Sequence, residues 1–142
     1  MKKMTILLIT ILSIIICTAV WMMFIEPYIL TVKRINIDDS TLEGLKIVFA
    51  SDFHIKPYEK FRLKRIVKAI NKQNADIVLL GGDYVNGHKK GMSMTIYKIA
   101  EELEKIHSKY GTYAVIGNHD GWQGKEECIT ELEKHNIKVL FN

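Results

Sequence analysis

The hydrophobic pattern splits the chain into two parts. From Met4 to Ile25 there is no charged residue, and only Thr5, Thr10, Ser13 and Thr18 carry hydroxyls. As a helix rising about 1.5 Å per residue, that stretch would be about 33 Å long, against a bilayer core of about 30 Å. It exceeds the roughly 7–15 apolar residues of a cleavable signal core, and no small-x-small site follows it. A helix that is apolar on every side fits poorly in the core of so small a domain. The pattern therefore predicts a retained signal anchor over residues 1–26, with Pro27 breaking its helix, and a separate domain over residues 27–142.

Beyond Pro27 the periodicity changes. "YILTVKRINI", Tyr28 to Ile37, alternates in part and is β-rich, which predicts a first strand. "LKIVFA" (Leu45 to Ala50), "DIVLLGG" (Asp76 to Gly82), "TYAVIG" (Thr112 to Gly117) and "IKVLF" (Ile137 to Phe141) are near-continuous apolar runs. Between them the apolar positions take helical spacing. Residues 60–74 carry Leu63, Ile66, Val67 and Ile70, and residues 94–110 carry Ile96, Ile99, Ala100, Leu103 and Ile106. Glu101 is spaced to pair with Lys105 on that second helix. A short helix is predicted from Lys125 to His135. Apolar strands alternating with amphipathic helices predict an α/β fold with a mostly parallel sheet covered on both faces.

Charge narrows the function classes. The net charge is +4, and without Lys2 and Lys3 the remaining 18 basic side chains face 16 acidic ones. That balance is not the footprint of a nucleic-acid binder, so no nucleic-acid partner is expected. Lys2 and Lys3 ahead of the anchor predict a cytoplasmic tail and a domain on the outer face of the cell membrane, although Lys33 and Arg34 weaken the asymmetry. Cys17 lies in the anchor and Cys128 far from it, so no disulfide is expected. Ile16 stands where a lipid-attachment site needs a small residue.

The chemistry sits at the strand ends. "KIVFASDFH" delivers Asp52 and His54 as its strand finishes; "GGDYVNG" delivers Asp83; "GNHDGW" delivers Asn118, His119 and Asp120. In a parallel sheet these ends share one edge, where ligands of open α/β sheets bind. Asp52 and His54 are two apart, so they point to the same side if the strand persists. Gly81, Gly82 and Gly117 precede the polar groups and permit a sharp exit and a close backbone approach. Oxygen donors mixed with imidazole suit Mn, Fe or Zn better than an all-oxygen calcium site. A middle-strand carboxylate, Asp83, could bridge two ions of the kind that activates a water and clamps a transferring phosphoryl group. Each motif alone reads as a turn or cap, whereas three in order, each directly after an apolar strand, do not.

"SDFH", "GGDY" and "GNHD", in this order and spacing, resemble the calcineurin-like metallophosphoesterase superfamily. The anchor, "EPY", "GLKIVFASDFH" and "YAVIGNHDGW" look most like its membrane-anchored bacterial members. The resemblance implies half of a metallophosphoesterase-type α/β sandwich behind a transmembrane helix. It implies a dinuclear metal centre in which Asp52 and His54 ligate the first ion, Asp83 bridges, and Asn118 ligates the second ion and holds phosphate. His119 would contact the phosphate or protonate the leaving oxygen, and Asp120 would lie behind the ligands. The implied reaction is hydrolysis of a phosphomonoester or phosphodiester. A lipid-linked or cell-envelope phosphate is suggested by location alone.

The family also draws histidines from a later Gly-His-x-His motif, and none occurs among these 142 residues. The sequence therefore reads as the N-terminal portion of a larger enzyme, a truncated frame, or a half that needs a partner chain. The expectation is a poor metal shell, weak activity alone, and exposed apolar sheet surface. A non-catalytic tethered remnant or interaction module is the alternative. Asn86 stands where protein Ser/Thr phosphatases of the family carry an acidic residue, which argues against that substrate class. Lys60, Arg62, Lys64, Arg65, Lys68 and Lys72 could lie on anionic lipid but read first as a solvated face. His88, Lys89 and Lys90 read as a polar loop or as steering for an anion. His107 reads as a helix-end cap, and Trp122 as a pocket wall or a loop cover.

Overall fold

The computed structural model describes residues 2–141. The chain divides into two units, Met1–Arg34 and Ile35–Asn142.

In the first unit, α1 runs from Lys2 to Val20 and continues as a π-helical turn over Trp21–Ile25 and a 3-10 turn over Glu26–Tyr28. Regular α-helix thus ends before Pro27, and the proline lies inside the last tight turn. Lys2–Ile25 is long and apolar enough to cross a membrane, and none of it is buried within the protein. Its threonines do not expose free hydroxyls: Thr10 and Thr18 donate to the carbonyls of Ile6 and Ile14 at 3.0 and 2.9 Å. That back-bonding satisfies the hydroxyl within the helix, as an apolar solvent requires.

The second unit is an α/β fold: β1 (Ile47–Ala50), α2 (Lys60–Asn71), β2 (Ile77–Leu80), α3 (Ile96–Leu103), β3 (Thr112–Ala114), α4 (Asn118–Lys134) and β4 (Lys138–Val139). The four strands form one parallel sheet in the order β1-β2-β3-β4. All four long apolar runs became strands, each trimmed at its ends. Helices α2 and α3 bury Leu63, Val67 and Ile70, and Ile96, Ile99, Ala100 and Leu103, against Val78, Leu80, Ala114 and Val139 of the sheet. Lys105 pairs with the buried Glu102 at 2.7 Å, not with Glu101, because Glu102 turns inward on α3.

Two expectations are corrected. Tyr28–Ile37 forms no strand among the described residues: Ile29 to Asp39 is irregular, and its apolar side chains are exposed. Partial alternation supplied β propensity, but a strand needs a partner, and β1 pairs only with β2. The sheet is also not covered on both faces by the elements of its unit. Consecutive strand order with right-handed crossovers puts α2, α3 and α4 on the same face. The opposite face is open, with Ile47, Val115 and Leu140 exposed and Phe49 67 % exposed.

Candidate metal centre

The strand ends do not simply stop; their backbones stay zipped together past the sheet. Asp52 N–H donates to the Gly82 carbonyl at 3.2 Å, His54 N–H to Asp83 at 2.8 Å, and Ile55 N–H to Tyr84 at 3.0 Å. Asp52 and His54 reach the same side by a different route from the expected one. The strand ends at Ala50, and Asp52, His54 and Asp83 all take left-handed backbone, with φ of 58°, 42° and 55°. Such a conformation costs a non-glycine residue about 1–2 kcal/mol, so surrounding contacts must hold it. Arg62 of α2 supplies one, its Nη1 donating to the Phe53 carbonyl at 2.6 Å between the two candidate ligands. Arg62 is therefore not part of the outward basic face.

Glycine makes the second and third strand ends meet. A Cβ on Gly82 would lie 2.5 Å from the Gly117 nitrogen, and one on Gly117 would lie 2.2 Å from Asp83 Oδ1. Gly117 precedes α4, which begins at Asn118 rather than Lys125 and kinks at Gly124, where φ is 134°. Asn118 and His119 thus stand on the first turn of a helix, anchored by Asp120.

Asp120 is fully buried. Its Oδ2 accepts from the N–H groups of Gly117 (2.9 Å) and Asp83 (2.8 Å), and its Oδ1 from those of Tyr84 (2.9 Å) and Val85 (3.1 Å). One carboxylate thereby locks the loop carrying Asp83 to the helix carrying His119. Burial pushes the pKa of Asp120 above its ordinary value, and the four N–H donors pull against that shift. Beside it, Tyr84 is buried, with its hydroxyl 3.0 Å from the Val115 carbonyl, and burial pushes its pKa strongly upward.

One ligand-type atom from each of His54, Asp83 and His119 lies within 4.8 Å of the other two. His54 Nε2 is 3.7 Å from Asp52 Oδ1 and 3.9 Å from Asp83 Oδ2. Neither separation is a hydrogen bond. Ligand atoms on one ion at bond lengths near 2.1 Å are about 3–3.4 Å apart, so the Asp52–His54 and His54–Asp83 pairs would each have to close by roughly half an ångström. The donors, imidazole with carboxylate, suit a first-row transition ion. The residues fit a divalent metal. Asp83 divides its oxygens: Oδ1 accepts from His119 N–H at 2.9 Å, and Oδ2 faces His54. Asp52 and Asn118 are exposed at the rim.

His119 has its own support. Its Nδ1 is 3.2 Å from the Gly87 carbonyl, and a carbonyl only accepts, so Nδ1 carries the proton. Gln123 Nε2 donates to the Asn86 and Gly87 carbonyls at 2.7 and 3.0 Å, fixing that loop. The His119 ring is flanked by His54 at 4.6 Å, His88 at 5.5 Å and Trp122 at 4.7 Å between centroids. His88 and Trp122 thus wall the site. Lys90 pairs with Glu127 instead of facing the site alone. His107 is exposed, and its backbone N–H is capped by Asn71 Oδ1. The sequence reading missed Gln123 altogether, and it put Asp120 behind the ligands only through the resemblance, without the four N–H groups it holds. Glycine before the helix with aspartate at its third position was the available signal.

Relatives carry the same kind of domain. An uncharacterized metallophosphoesterase of Campylobacter jejuni is 33 % identical over 115 residues, covering 78 % of this chain and 29 % of that protein. The UDP-2,3-diacylglucosamine pyrophosphatase LpxG of Chlamydia trachomatis is 33 % identical over 145 residues, covering 93 % of this chain and 43 % of LpxG. The phosphodiesterase YaeI of Escherichia coli is 35 % identical over 101 residues, covering 68 % of this chain and 36 % of YaeI. The chain thus spans less than half the length of these relatives. Residues 45–141 match the family model for calcineurin-like phosphoesterases, beginning just ahead of β1 and including every candidate ligand, and the chain belongs to that family.

Proposed function

We propose that the chain forms the N-terminal part of a membrane-anchored, metal-dependent phosphoesterase centre, acting on a phosphomonoester or phosphodiester with two divalent ions. The carrying observation is the convergence of His54, Asp83 and His119 from three successive strand ends into one group. Family membership supports phosphate-ester chemistry.

In this reading Asp52 and His54 hold the first ion, Asp83 bridges, and Asn118 holds the second ion and orients the phosphate. Bound ions of the Mn, Fe or Zn class would neutralise phosphate charge and lower the pKa of a water for attack at phosphorus. The chain's own residues do the rest. Asp120 and the Gly82–Gly117 contact keep the strand ends at fixed separation. His119, with Nδ1 committed to Gly87, offers Nε2 to hold a proton for the leaving oxygen. His88 and Trp122 shield one side of that proton transfer from water.

Lys2–Ile25 supports a single membrane span, and Lys2 and Lys3 support placing the domain on the outer face of the cell membrane. The residues 1–26 and 27–142 are then anchor and phosphoesterase portion. A lipid-linked phosphate fits that location, and a relative named for a diacylated sugar nucleotide supports an amphiphilic substrate.

The test is hydrolysis of bis-p-nitrophenyl phosphate and p-nitrophenyl phosphate by the purified chain with Mn²⁺. Slow, metal-dependent hydrolysis lost in Asp83→Asn is expected. Hydrolysis indifferent to chelation or to Asp83→Asn would overturn the reading. Tight metal binding with no hydrolysis of either ester would favour the non-catalytic interaction module.

A further inference from the structure

The outward face of α2 carries charge of one sign only. Lys60, Lys64, Arg65, Lys68 and Lys72 are all exposed, and no acidic residue occurs between Glu59 and Asp76. At about 100° per residue these five cations fill an arc of about 140°. The buried stripe of Leu63, Val67 and Ile70 lies on the other side of the helix. None of the five takes part in an ion pair among the described residues. An ordinary solvated helix face mixes signs, as α4 does with Lys125, Glu126, Glu127, Glu133 and Lys134.

A second observation is independent of charge. Phe61 lies in the middle of the basic arc and is 74 % exposed, and Tyr58, in the turn just before α2, is 77 % exposed. Single exposed aromatic rings are common, but these two stand beside a run of unpaired cations. A headgroup layer suits both, because the rings enter the interface while the lysines meet anionic lipid.

We propose that this face of α2 docks on an anionic lipid surface, with Phe61 and Tyr58 inserted and the five cations paired to headgroups. For its partner the inference rests on the membrane-tether part of the function proposed above and is independent of the catalytic part. It deepens that reading. Helix α2 follows directly from the segment bearing Asp52 and His54, and Arg62 holds that segment. Docking would bring this flank of the candidate centre to the headgroups, where an amphiphilic phosphate ester is presented.

The experiment uses the full chain in lipid nanodiscs. Phe61→Cys is introduced with Cys17→Ser and labelled with an environment-sensitive fluorophore; Cys128 is buried and stays unlabelled. Discs of phosphatidylcholine are compared with discs that also contain phosphatidylglycerol. The inference predicts a blue shift, and quenching by lipid-borne nitroxide, in the anionic discs only. High salt should reverse both. Lys64→Glu, Lys68→Glu and Lys72→Glu together should abolish them, since each basic residue contributes about fivefold to partition. A label at Glu133→Cys on α4 should not respond. Identical emission from position 61 in both disc types overturns the inference. So does an equal shift produced by duplex DNA without lipid, which would assign the face to nucleic acid. If the chain fails to enter discs, the tether fails, and the same label is read against added anionic vesicles, where no shift overturns the docking.

Discussion

Replacing Asp120 by asparagine changes one carboxylate oxygen for an amino group and leaves the shape of the side chain intact. Both oxygens are occupied, each by two backbone N–H groups. Whichever way the amide turns, two donors therefore lose their acceptor and face another donor, in a position with no access to water. Leaving a buried donor unsatisfied costs about 1–3 kcal/mol. Against this, the neutral amide escapes the burial that raises the carboxyl pKa. The net loss should be about 2–4 kcal/mol, most of it in the pair of donors left unmatched. At roughly 4–8 °C per kcal/mol for a domain near this size, the midpoint of unfolding should fall by about 8–32 °C. Thermal unfolding followed by circular dichroism measures the total. Hydrogen exchange at the amides of Asp83, Tyr84, Val85 and Gly117 locates it, because two of the four should lose protection while the helix interiors keep theirs. A variant that melts with wild type and retains all four protected amides would refute the clamp.

Gly117→Ala would put a methyl 2.2 Å from Asp83 Oδ1 and 2.4 Å from Asp83 N, so backbone must shift; overpacking of this kind costs about 1–3 kcal/mol, and divalent-metal affinity, read by calorimetry, should fall at least about tenfold. Gly44→Ala meets nothing within 4 Å, so with φ at 76° it should show backbone strain alone, about 1 kcal/mol in a denaturant titration. Burial pushes the Cys128 thiol up to about 12, so in a Cys17→Ser background Ellman's reagent should react slowly with the native chain at neutral pH and rapidly after denaturation.

Four strands and three helices of the domain were legible because their apolar runs and helical spacings are long enough to leave one interpretation. The positions of the candidate ligands at strand ends followed from the same runs. What was not legible depends on partners that one stretch of sequence does not name. Tyr28–Ile37 has strand-like residues and no strand to pair with. The open sheet face comes from the consecutive strand order, which apolar periodicity does not encode. Asp52 and His54 face one side through left-handed backbone that no propensity scale would assign to them. Asp120 looks like one more polar residue in "GNHDGW" until four N–H groups from two loops are seen to meet on it. Gln123 carries no motif signal, since its role is to hold two carbonyls from 36 and 37 residues away. The helix start at Asn118 was within reach: glycine at the cap and aspartate three residues on is a start signal, and the motif reading passed over it.

The central claim is that three strand ends build one site for divalent metal. Isothermal titration of Mn²⁺ or Zn²⁺ into the purified chain, beside Asp83→Asn and His54→Ala, tests it most directly. The account predicts saturable binding, reversed by chelation and weakened at least about tenfold by either substitution. Superimposable isotherms for all three proteins would contradict it.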